Sequence, residues 1–344
     1  MKVSVIIPIY NGEKYIEEMY NSLSNQSFKD FEVIYINDGS KDDSLEMLES
    51  IANKDCRISV YSQNNRGICA SRNLGIEKAK GEYLIFLDQD DGIEDNLIER
   101  YLEAITIHDA DLASFGKIHY YMVGDEVVSK KPQILNEELV EDETTKLCYL
   151  FNIDNKKRLM TIWNCIYKKE IIQKYNIRFD QNFRHGDENG MFNIEYTLHC
   201  NRIFFSSGCY YHYYIRKGIS TITKYNEDLL DNYLYYADKV YKLTSKEDEK
   251  IKDIVKLYLL RFFSNVYARY RRFESSRQAR VNFLIKTEKS IGFQFATQLS
   301  VIRNLECIPK KYLYWDIFNY NYKHKWYGID ILLLELLLGI KKRA

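Results

Sequence analysis

Asp88-Gln89-Asp90-Asp91 puts three carboxylates within four residues, a spacing suited to a hard divalent cation. Such an ion takes oxygen ligands from one or two carboxylates and completes its shell with water and substrate phosphates. Side chains two apart in an extended segment project to the same side, which pairs Asp88 with Asp90. Without a cation the three acids would repel one another. The competing reading is a solvated turn that caps the following helix. The chain has no G-x-G-x-x-G and no G-x-x-x-x-G-K-[ST] phosphate loop, so a nucleotide held here would need a grip other than a glycine-rich cradle.

The elements that would position these acids alternate between two periods. Residues 3–8 are a continuous apolar run, as in a strand covered on both faces. Residues 12–24 read as a helix with Tyr15, Ile16, Met19 and Leu23 on one side. A strand at 31–36 follows, then a helix capped by Asp42 or Asp43. Next come a strand at 57–61, a helix at 67–79, and a strand at 83–87 that runs into Asp88. A helix at 94–104 completes the series. This alternation predicts a parallel sheet with helices on both faces, and ligands bind such sheets beyond the carboxyl ends of the strands. Four polar turns fall at those ends: Tyr10-Asn11, Asp38-Gly39-Ser40, Asn64-Asn65-Arg66-Gly67 and Asp88 to Asp91.

After about residue 110 the pattern changes. Residues 113–121 and 202–214 read as strands, and 143–151 and 168–175 as helices. Long helical periods dominate from 223 onward, at 228–243, 248–271 and 277–289. The expected organisation is an α/β domain over 1–222, with a nucleotide half at 1–105 and an acceptor half at 106–222. A helical region at 223–344 follows.

Bulk properties narrow the function classes. Lys+Arg and Asp+Glu are equal at 49 each, without the basic excess that coating nucleic acid requires. The seven cysteines (Cys56, Cys69, Cys148, Cys165, Cys200, Cys209 and Cys307) include no C-x-x-C pair. They suit reduced thiols in a cytosolic protein. The first apolar run is too short for a secretion signal, and no stretch reaches the roughly 20 apolar residues that span a bilayer.

Four blocks carry a family likeness: Val3-Ser4-Val5-Ile6-Ile7-Pro8-Ile9-Tyr10-Asn11, Asn37-Asp38-Gly39-Ser40, Ser71-Arg72-Asn73-Leu74-Gly75 and Phe86-Leu87-Asp88-Gln89-Asp90-Asp91. In order and spacing the chain resembles the family 2 glycosyltransferases, of bacterial polysaccharide or capsule type. The resemblance implies the α/β GT-A fold: a mostly parallel, Rossmann-like sheet flanked by helices, here with a C-terminal helical appendage. It also implies roles at matching positions. Pro8, Tyr10 and Asn11 would line the nucleotide pocket, and Asp38 would accept from the base, usually uracil. Asn65 and Arg72 would sit near the diphosphate, Arg72 offering a charged fork. Asp88 would face the ribose or the metal's water shell. Gln89 takes the variable middle position, and Asp90 would ligate Mn²⁺ or Mg²⁺.

In the resembling enzymes a Glu-Asp pair stands three residues before a Phe, and its Asp is the general base. Aligning on Phe192 and Asn193 puts Asn189, which cannot accept a proton, at that position. A shifted loop would make Asp187 or Glu188 the base, with Gly186 and Gly190 giving backbone freedom; an N-cap for a helix at 190–198 is the plainer use of these residues. Trp163-Asn164 resembles an acceptor-side element whose ring would stack on a sugar, though a core Trp fits equally. The segment from His212 to Ser220 resembles a basic loop closing the site. Arg216 would neutralise diphosphate, and Ser220 or Thr221 would donate to it. The family usually has an Arg where Tyr214 stands. His212 reads as a core histidine before a metal ligand.

The expectation is an inverting, metal-dependent hexosyltransferase. It would move a sugar from a nucleotide-sugar donor, UDP-linked by preference, to a hydroxyl of a glycan or lipid-linked saccharide. Two alternatives stand beside it: a sugar nucleotidyltransferase, and a non-catalytic nucleotide- or glycan-binding homologue. No nucleic acid partner is expected, and a homo-oligomer is left open. The setting is cytoplasmic, with room for contact with the inner face of the membrane through the apolar, basic-ended segment 330–343.

Overall fold

The run 3–9 is buried at every position but one, Pro8, because it lies in mid-sheet and is covered on both sides. The computed structural model describes residues 1–124, 126–151, 159, 161–183, 186–216, 229–273, 282–283 and 285–296. The C-terminal segment 330–343, Arg184, His185, Ser220 and Thr221 lie outside the described residues. The chain divides into two compact units, Met1–Lys146 with Lys157–Lys224, and Leu147–Lys156 with Tyr225–Ala344.

In the first unit, β1 (Val3–Ile9) lies between β2 (Phe31–Asn37) and β4 (Tyr83–Phe86), parallel to both, and β3 (Ile58–Ser62) extends the parallel run beyond β2. The strand order is β3-β2-β1-β4-β9-β6-β10-β5. Beyond β4 the sheet becomes mixed. There β9 (Cys165–Lys168) runs antiparallel to β4 and to β6 (Leu112–Val123), while β10 (Ile203–Arg216) is parallel to β6. The two-residue β5 (Gly92–Ile93) closes on β10. The strands β7 (Glu126–Gln133) and β8 (Glu138–Val140) pair β6 and β10 antiparallel.

The parallel expectation therefore describes β1 to β4, and the acceptor half is mixed. Strand β9, four residues long, is too short to show a period. Pro132 in β7 is tolerated because the strand lies off the main path of the sheet, where a missing N–H costs little.

Two helices share one face of the sheet. Helix α3 (Ile68–Lys78) lies against β1, and a Cβ on Gly75 would overlap Ile6 Cγ2. Ile6 is in register with Phe86, whose ring meets Phe192 of α7 (Glu188–Thr197) at 5.6 Å. On the opposite face, Tyr101 of α4 (Leu97–Ile107) stacks on Phe115 at 3.9 Å. Helices α1 (Glu13–Ser24) and α2 (Ser44–Ala52) start beside each other beyond β1 and β2. Asp42 accepts from the Glu13 backbone N–H, and Glu13 accepts from that of Asp43. Helix α6 (Lys169–Lys174) completes this unit, and α5 (Glu143–Leu150) spans the boundary at Lys146/Leu147.

The second unit is helical where described, with α8 (Leu229–Thr244), α9 (Glu249–Phe273) and α10 (Ile291–Ala296). Asp238 on α8 accepts from the Ser290 hydroxyl and the Gly292 N–H at the start of α10. No helix among the described residues is long and apolar enough to cross a membrane.

Gly75→Ala tests the α3–β1 approach by sign. In an exposed helix the change would stabilise by about 1 kcal/mol. Here overpacking costs about 1–3 kcal/mol, so the urea midpoint is expected to fall. A raised midpoint would show that α3 stands further from β1.

Candidate functional site

The register levels the strand ends: Ile9 faces Asn37, Asn37 faces Ser62, and Ile6 faces Phe86. The polar turns after β1, β2, β3 and β4 thus meet on one edge, and side chains bonded to backbone hold them there. Gln89 Oε1 accepts from the Tyr10 N–H (2.9 Å) and its Nε2 donates to the Tyr10 carbonyl (3.2 Å). Gly12 lets this clamp close, since a Cβ there would stand 2.6 Å from Gln89 Oε1. Asn11, at φ 48°, accepts from the Lys41 N–H and donates its own N–H to Ser40 Oγ.

Asp38 is buried. Its carboxylate accepts from Gln63 Nε2 and from the Arg66 and Gly67 backbone N–H groups at 2.7–2.9 Å. Asp38, expected beside the nucleotide base, thereby ties down the loop that carries Asn65. Pro8 is half-buried, and Tyr10, Asn11 and Asn65 are exposed along this edge.

Arg72 corrects an expectation. Its side chain is 1% exposed, so it presents no free fork to a diphosphate. One terminal nitrogen donates to Asp88 Oδ1 (2.9 Å). The other donates to Glu188 Oε1 (3.1 Å) and Asn189 Oδ1 (2.8 Å). The guanidinium therefore joins the end of β4 to the first turn of α7. Glu188, expected as an acid–base candidate, is buried and held by this arginine. Asp187 is the N-cap, in the left-handed region at φ 68°, and follows Gly186 at φ 100°. Helix α7 begins at Glu188, two residues before the expected start.

The acidic corner is offset piece by piece. Asp88 pairs with Arg72. Asp90 is bound by Arg216, whose guanidinium donates to Asp90 Oδ2 and to the Asp90 carbonyl, both at 2.8 Å. Asp91 is buried and accepts from the Tyr211 hydroxyl (2.7 Å) and the Tyr214 N–H (2.9 Å). Burial, then Asp90 and Asp88, push Asp91 well above the usual carboxylate range. Burial and Asp88 also raise Asp90, with Arg216 opposing.

No group of three or more His, Cys, Asp or Glu able to cage an ion occurs among the described residues. Two oxygen ligands, Asp88 and Asp90, completed by substrate phosphate are nonetheless the usual set for Mg²⁺ or Mn²⁺, so the residues fit such an ion. His212 bonds Glu94 at 2.8 Å and stands outside this pair. Trp163 is buried, with its ring stacked on Tyr211 at 4.3 Å and Lys117 Nζ 4.3 Å from its centroid. It is a core residue and offers no face to a sugar. Gln89, expected at the variable middle position, serves as the Tyr10 clamp; the roles of Tyr211 and Gln63 had no signal in the sequence beyond Gln63's place beside the Asn64 turn.

The sequence model of glycosyl transferase family 2 matches residues 4–175. The chain belongs to this family. It is 33% identical over 202 residues to the uncharacterized glycosyltransferase EpsJ of Bacillus subtilis, covering 58% of this chain and 57% of that protein. It is also 33% identical over 224 residues to the cholesterol galactosyltransferase of Borreliella burgdorferi, covering 63% and 61%. The chain spans about three fifths or less of the first curated relatives it matches. The crystal structure of Staphylococcus aureus TarS 1–349 in complex with UDP-GlcNAc shares the fold. The TM-score is 0.73 at 22% identity, over 100% of this chain and 93% of that one. The α/β GT-A expectation is thereby met.

Removing the arginine hub should be costly. Breaking a buried ion pair from one side costs about 3–5 kcal/mol, so Arg72→Ala is expected to lower the chemical denaturation midpoint strongly. Arg72→Lys should restore little, because a point charge cannot serve three acceptors spread around a planar fork. Full recovery in the lysine variant would sink the hub.

Proposed function

We propose that the protein transfers a sugar from a UDP-sugar to a hydroxyl of a saccharide acceptor, inverting the anomeric centre. The observation that carries this reading is the convergence of four strand-end turns on Asp88 and Asp90, with Arg72 coupling that corner to the start of α7. Family membership and the TarS complexes with UDP and UDP-GlcNAc support it.

In this reading Asp88 and Asp90 hold Mn²⁺ or Mg²⁺ together with the donor diphosphate. The ion, when bound, stabilises negative charge on the departing diphosphate. Arg216 exchanges its bond to Asp90 for phosphate oxygens, and its guanidinium is suited to that by its planar fork. Pro8, Tyr10, Asn11 and Asn65 border the nucleoside.

Asp187 takes the acceptor hydroxyl proton as its oxygen attacks the anomeric carbon. One observation favours Asp187: it holds a left-handed backbone that few non-glycine residues adopt, and such conformations cluster at functional sites.

A donor panel with Mn²⁺ or Mg²⁺, reading UDP release, tests the reaction. Asp90→Ala and chelation should each abolish turnover; pyrophosphate release would point instead to a nucleotidyltransferase. Asp187→Asn should lower kcat by about 10²–10⁴-fold and leave UDP affinity intact. Unchanged turnover in that variant would remove Asp187 from the base role.

A further inference from the structure

Long strands β6 and β10 run side by side past the carboxylate corner, and their pairing carries a second set of aromatic rings. Register shifts lie on both sides of Cys209, which faces Gly116. A Cβ on Gly116 would stand 2.6 Å from Cys209 Sγ, so the irregularity needs a glycine. Beyond it, Tyr213 is in register with His119, and their rings meet edge to face at 5.8 Å.

Tyr211, two residues earlier on the same side, donates its hydroxyl to Asp91 and accepts the Asp88 N–H. Trp163 stacks on both Tyr211 and Tyr213. The loop bearing Trp163 is tied to α7, because Asn193 Nδ2 donates to the Leu159 and Thr161 carbonyls. The Tyr213 side of the sheet therefore belongs to the α7 face, where Arg72 joins Asp88 to the helix start.

Tyr213, His119 and Tyr121 are each only partly buried, unlike Tyr211 and Trp163. Tyr213 and His119 stand side by side on neighbouring strands, and Tyr121 lies two residues, about 7 Å, further along β6. Lys131, exposed, places its Nζ 5.4 Å from the centre of the Tyr121 ring. Burial pushes the Tyr213 hydroxyl up to about 12, with Asp91, Asp88 and Asp90 adding to it. That effect is consistent with the strip starting at the carboxylates.

We infer that Tyr213, His119 and Tyr121 form the subsite for the acceptor's pyranose rings, Tyr213 on β10 nearest the transferred sugar and His119 and Tyr121 one strand further out on β6. This rests on the transfer reading above. An aromatic ring offers a flat apolar surface to the C–H face of a pyranose. The His119 ring, at 82° to Tyr213, closes one side, and Lys131 supplies N–H donors for ring hydroxyls. The buried Trp163 backs the strip and holds Tyr213 upright.

Saturation-transfer NMR with methyl glucoside, methyl galactoside and methyl N-acetylglucosaminide, run with UDP and Mn²⁺ present, tests this. Wild type is expected to give ring-proton signals from at least one pyranoside. His119→Ala and Tyr121→Ala should weaken its affinity by about 3–10-fold each, the equivalent of one stacked ring. Tyr213→Ala should abolish the signal and Tyr213→Phe should keep it, which separates ring stacking from the hydroxyl's electrostatic role. Calorimetric UDP binding by every variant checks the fold independently. Equal pyranoside affinity in wild type and the His119 and Tyr121 variants, or no pyranoside signal at all, overturns the inference. Failure of wild type to bind UDP would instead strike the transfer reading, and pyranoside signals lost on ring removal would still support the strip.

Discussion

A guanidinium with no access to water sits between β4 and α7, and the geometry of the site depends on it. Arg72 satisfies Asp88 on one side and Glu188 with Asn189 on the other. Taking a cation and two carboxylates out of water costs several kcal/mol per ion, which only close geometry repays. The planar fork supplies that geometry, because its donors are fixed in direction. The carboxylate at the strand end and the acid at the helix start consequently cannot move independently. Phe179, stacked on Phe192 at 4.2 Å and lying under the Arg72 guanidinium at 5.3 Å, limits the sideways freedom of the hub.

Around the hub, the donor edge is ordered mainly by side chains that bond backbone. Asp38, Gln89 and Asn11 each accept from the N–H groups of a neighbouring turn. Exposed loop backbone would otherwise exchange those bonds with water, at a net difference of about 1 kcal/mol each. Using side chains from one turn to fix the next makes the four turns a single unit. It also explains why polar residues concentrate at strand ends without all of them being available to a ligand.

The parallel half of the sheet was legible because each of its strands is either a long apolar run or ends in a polar turn. The acceptor half was less so. Strand β9 is too short to carry a period, and β7 is largely exposed and interrupted by Pro132. Strand β10 reads as a strand, but its register shifts at Cys209 decide which side each tyrosine takes, and no local pattern encodes that. The same limit applies to the site. Residue type picked out Asp38, Arg72 and Glu188 as polar groups near the strand ends, yet Asp38 bonds a backbone 28 positions away and Arg72 and Glu188 bond each other across 116. A charge's role depends on whether such a distant partner saturates it. Leu147–Lys156, which joins the second unit, shows no change of composition to announce it.

Three adjacent carboxylates persist at one corner because each is compensated differently. Asp88 has a permanent counter-ion in a buried arginine. Asp91 is held by two hydrogen bonds, from the Tyr211 hydroxyl and the Tyr214 N–H. Asp90 keeps the more exposed carboxylate, at 41%, against a mostly buried arginine at the end of a strand. In the transfer reading proposed above, Asp90 would be the carboxylate open to a cation, and Arg216 would be the guanidinium able to turn to a diphosphate, while Arg72 keeps Asp88 and the start of α7 in place.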